Sequence, residues 1–196
     1  LFPTFNDRNT DIHSILYYAK NPEQMPETLI DELFGCVPPM SAKSQKETFQ
    51  AIVEETLGEN CDFETVKNLY ENLSELVEET KDEPASLVLD KTQVKKLLET
   101  NGAPSEKLEE FEQRYAEVED GSGTGFVAAN IINTKSFDIK TPDVSIKVAP
   151  DKTYLVENKM IDGRPCIVIA INEHMEINGI SVKPITCSEK ERKKYE

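Results

Sequence analysis

The chain has no tryptophan, two histidines and four cysteines in 196 residues. The cysteines, Cys36, Cys61, Cys166 and Cys187, include no C-x-x-C pair. A set this sparse argues against a disulfide framework and for a reducing, cytoplasmic compartment. Long apolar runs are also missing. The longest, Cys166–Ile171, has six residues and is strand length, where a bilayer span needs about 18–20. Cations are scarce at one end of the chain. Residues 1–120 hold 27 Asp/Glu and 11 Lys/Arg, residues 121–196 hold 10 and 11, and the net charge is −15. A nucleic-acid binder needs cations to displace counterions from phosphates, and an anionic membrane surface attracts the same residues. The acidic balance therefore excludes both partner classes. The basic stretch Lys190–Lys194 is short and reads as a solvated terminus.

The pattern of the chain changes at Asp120-Gly-Ser-Gly-Thr-Gly125. Residues 1–120 read as a helical region, 121–125 as a Gly/Ser linker, 126–186 as an antiparallel β region and 187–196 as a charged tail. Helices are expected at about 11–19 and 27–34, then from Ser41 or Ser44 to Gly58. That third helix carries Phe49, Ile52, Val53, Thr56 and Leu57 on one face. Asp62 caps a fourth, with a stripe of Phe63, Val66, Leu69, Tyr70, Leu73, Leu76 and Val77. Asp90 and Gln93 have capping-box spacing before Val94, Leu97 and Leu98. Ser105 opens a helix with Leu108, Phe111, Tyr115 and Val118, and these last two helices form an αα-hairpin.

Beyond the glycines the period falls to two. Val144, Ile146 and Val148 alternate with polar residues. Asp162-Gly163 and Asn178-Gly179 are type I′ turn signals, the first joining Tyr154–Ile161 to Pro165–Ile171, the second Met175–Ile177 to Ile180–Val182. Phe126–Ile132 and Phe137–Ile139 are further strand candidates. Ile167–Ile171 is apolar on both faces, which predicts a central strand with Ile169 buried. The fold class that follows is α+β: about six acidic helices, then an antiparallel sheet of four to six strands.

Each chemical constellation has a plainer structural role. Gly121–Gly125 resembles a phosphate loop, but a helix precedes it, a strand follows it, and the P-loop Lys-Ser/Thr is missing, so it reads as a linker. Asn60-Cys61-Asp62 puts a thiol at a helix N-terminus, where the macrodipole can activate it. A cysteine hydrolase also needs a base, and His13 and His174 lie in different halves, so Cys61 reads as inert. Asp7, Asp11 and His13 are hard ligands, but Asn6–Asp11 lacks the glycine and terminal glutamate of a calcium loop. Asn72-Leu-Ser74 matches a glycosylation acceptor but falls inside a helix. His174 reads as an exposed turn residue. No catalytic residue, cofactor site or metal site is assigned.

Phe2–His13, Leu33–Ser41 and Lys140–Val144 through Ile161–Arg164 together resemble a bacterial family from anaerobic Gram-positive species, described only as a domain of unknown function. The resemblance implies a bacterial cytoplasmic setting and a place in the C-terminal part of longer members. It brings no activity, cofactor or site residue. The abrupt start at Leu1 agrees with a preceding N-terminal region. The expected function is a non-enzymatic protein-interaction or scaffolding module, its partner another protein or that N-terminal region. The alternative is an enzyme or small-ligand domain whose site the N-terminal region completes.

The charge distribution predicts no binding of DNA or RNA at physiological salt. Fluorescence anisotropy with labelled oligonucleotides checks this, and micromolar affinity that weakens steeply with salt contradicts it.

Overall fold

A computed structural model describes residues 20–21, 27–35, 40–82, 86–118, 125–172 and 174–183. The expected first helix, at 11–19, lies outside them. The chain divides into two compact units, Leu1–Lys135 and Ser136–Glu196.

The first unit is built on helices whose ends the sequence marks chemically. They are α1 (Glu27–Phe34), α2 (Ala42–Leu57), α3 (Phe63–Glu79), α4 (Lys91–Thr100), α5 (Ser105–Val118) and the short α6 (Ala128–Ile131). Ser41 is the α2 N-cap, its hydroxyl accepting from the Ser44 N–H, and Gly58 ends the helix at φ 53°. Asp90 and Gln93 form the expected capping box. Asp62 caps α3 by accepting from the Thr65 N–H at 2.8 Å. That bond holds its carboxyl below the usual aspartate range. A depressed folded-state pKa means that the cap's contribution is present above the unfolded value, about 3.9, and is lost as pH falls through the folded one.

Two short strands, β1 (Val88–Leu89) and β2 (Phe126–Val127), pair antiparallel and carry the chain into the core of this unit. The strand expected over Phe126–Ile132 is thus two residues long before α6 begins, and Ala128 and Ile131 bury on that helix. Phe126 is 1% exposed. Its ring meets Phe49 at 5.6 Å and Tyr115 at 5.8 Å, both edge-on, the geometry that ring quadrupoles favour. Around this cluster pack Ile52 and Leu57 of α2, Leu73 of α3, Leu89, Leu98 of α4 and Phe111 of α5.

Two features let β2 approach. A Cβ on Gly125 would lie 2.1 Å from the Leu89 carbonyl oxygen, so only glycine fits against that backbone. Gln45, buried on α2, then closes the junction. Its Oε1 accepts from the Val127 N–H at 3.0 Å and from Asn130 Nδ2 at 3.2 Å, while its Nε2 donates to the Met40 carbonyl.

The expected stripe of α3 is wider than its buried seam. Leu69 and Leu73 are buried, whereas Val66 and Leu76 are more than a third exposed. Phe63, Tyr70 and Val77 are half-buried, so the stripe is only partly covered.

The second unit departs from the single sheet of four to six strands. Its strands are β3 (Phe137–Lys140), β4 (Ser145–Val148), β5 (Val156–Ile161), β6 (Arg164–Ile169), β7 (Met175–Ile177) and β8 (Ile180–Val182), and they form three separate two-stranded hairpins. Both I′ turns are present, with φ of 50° and 75° at Asp162-Gly163 and 51° and 80° at Asn178-Gly179. The central-strand expectation for Ile167–Ile171 fails: among the described residues β6 pairs only with β5, and Ile169 is 47% exposed. The turn supplies a physical reason. A two-residue loop makes Ile161↔Arg164 a hydrogen-bonded pair, so the next pair, Met160↔Pro165, points its backbone groups outward. Proline has no N–H to offer there, which blocks extension past the β6 edge at that point.

Gly125→Ala should cost about 1–3 kcal/mol through overpacking. Gln45→Leu should cost a similar amount, about 1–3 kcal/mol, by stranding the Val127 N–H. Urea denaturation with an unchanged m-value checks both, and wild-type midpoints contradict the close approach.

Candidate functional site

Cys61 lies between a short 3₁₀ turn (Gly58–Asn60) and the α3 cap, half-buried and free. Burial, followed by the charges of Glu54 and Asp62, pushes its thiol pKa up. A nucleophilic thiol needs the opposite shift. Desolvation and two carboxylates thus oppose thiolate formation at Cys61. Neighbouring Asn60 serves the fold, donating from Nδ2 to the Gly102 carbonyl at the α4–α5 turn.

The other sequence candidates separate. Asp7, Asp11 and His13 lie outside the described residues, as do Cys36, Cys187 and Gly121–Thr124. Cys166 is a half-buried free thiol on β6. His174 is exposed, with its Nε2 4.0 Å from Glu176, an ion pair only when the imidazole is protonated. Asn72 is partly buried and donates from Nδ2 to Asn101 Oδ1, inside a helix where Leu73 is 2% exposed, an unsuitable acceptor for a glycan. Among the described residues no three His, Cys, Asp or Glu side chains are grouped to hold a metal ion. No helix among them is long and apolar enough to cross a membrane.

Two concavities lie in the helical unit. A groove of about 430 Å³ runs between α3 and α4, with Leu76 and Leu97 among its lining and Glu75, Glu79, Gln93 and Lys96 beside them. A cleft of about 170 Å³ between α2 and α5 is lined by Glu55, Thr56, Lys107 and Glu110 over Ile52 and Phe111. Lys107 there pairs with Glu110 along its own helix at 2.6 Å, a surface contact worth a few tenths of a kcal/mol at most. Among the described residues no histidine or cysteine lines either concavity.

The second unit offers a different kind of surface. Direct cross-strand partners share a face. In β5–β6 the register therefore puts Val156, Asn158 and Met160 on the same face as Ile169, Ile167 and Pro165. Asn158 is the one polar side chain among them. Val156 is fully buried, but Met160 is 67% exposed. In β7–β8 the register gathers Met175, Ile177, Ile180 and Val182 on one face and leaves Glu176 and Ser181 on the other. Ile177 and Ile180 are 54% and 69% exposed. By contrast, the equivalent face of β3–β4, with Phe137, Ile139, Ile146 and Val148, is buried or half-buried. Scattered exposed aliphatics are ordinary on a protein surface, and here several fall on the apolar faces of two hairpins. The strand pattern and the two turns made these faces readable from sequence. Their exposure was hidden, because alternation says that a face is apolar and not what covers it.

Residues 1–180 match the model of a family described as Domain of unknown function (DUF4317), and the chain belongs to that family. No curated protein and no solved structure matches it.

The thiol of Cys61 should react slowly. Iodoacetamide labelling followed by mass spectrometry should show its rate still rising with pH beyond the ordinary thiol range, and rapid alkylation at pH 6 would restore the nucleophile.

Proposed function

We propose that this member of a family of unknown function is a non-enzymatic protein-interaction module, and that it engages its partner through the apolar hairpin faces of the second unit. One observation carries the reading: Met160, Ile169, Ile177 and Ile180 are large, apolar and 47–69% exposed on strands that are otherwise well formed. Covering each would contribute about 1–2 kcal/mol, so a few such anchors supply useful affinity without any catalytic group.

The charge distribution supports the same placement. Residues 121–196 are near neutral, whereas residues 1–120 hold the excess carboxylates. An apolar contact on the second unit avoids desolvating those carboxylates. The bacterial cytoplasmic setting is carried by the family resemblance, and the free thiols of Cys61 and Cys166 are compatible with it.

Photo-crosslinking in the native cell tests the proposal. A crosslinking residue at position 180 should capture a discrete protein, and one at exposed Glu106 on α5 should not. Ile177→Lys introduced alongside the position-180 probe should abolish capture while leaving the far-UV circular dichroism unchanged. Capture from position 106 alone, or capture indifferent to Ile177→Lys, would overturn it.

A further inference from the structure

We draw no further inference here: the strongest candidate, the apolar face of the β7–β8 hairpin formed by Met175, Ile177, Ile180 and Val182, belongs to the surface already described, and nothing in the structure shows what covers it.

Discussion

The approach of Gly125 to the backbone of Leu89 is the constraint on which the first unit depends. It lets β2 lie against β1, and that pairing delivers Phe126 between Phe49 and Tyr115. Those two rings come from α2 and α5, so a single residue after the glycine run joins helices distant in sequence. The polar cost of bringing a strand end into an apolar interior is met by Gln45, which supplies the acceptor that the Val127 N–H would otherwise lack. A side chain on Gly125 would displace the strand, Phe126 would move with it, and the Gln45 bonds would lengthen. Packing and hydrogen bonding here form one cooperative arrangement.

The two units solve burial differently. The first surrounds an aromatic and aliphatic cluster with amphipathic helices, while Leu33, Val66, Leu76 and Val88 stay exposed outside it. The second forms its strands locally, through tight turns that each fix a register without distant partners. Isolated two-stranded hairpins are marginal in water and gain stability by covering an apolar face. The buried Val156 and Phe137 show part of that covering, while Met160, Ile169, Ile177 and Ile180 remain open. The same apolar area is thus both an incomplete core and a solvent-exposed surface.

Much of the local structure was legible because its signals are local. The Asp62 cap, the Asp90–Gln93 box and the φ values at Asp162-Gly163 and Asn178-Gly179 each depend on a few adjacent residues. The contacts that join elements were not. Gln45 stands one helical turn before Phe49 on the buried face, so its burial had a signal, but its partners Val127 and Asn130 lie more than eighty residues away. Ile167–Ile171 is apolar on both faces, a pattern that suits flanking strands, whereas Pro165 beside it argues against an extended sheet edge. Leu76 and Val66 fit the helical period, yet period alone says nothing about how many neighbours are available to cover a stripe. The candidate surface was half-visible in the same way, its residues readable and its exposure not.

The central claim is that the hairpin faces of the second unit are open to solvent while the first unit's core is closed. Isoleucine methyl NMR with a soluble paramagnetic agent measures that difference directly, residue by residue. The account predicts strong relaxation enhancement at Ile169, Ile177 and Ile180 and protection at Ile52 and Ile131. Equal protection at all five would show that the hairpins are covered, and the surface on which the proposed function rests would not exist.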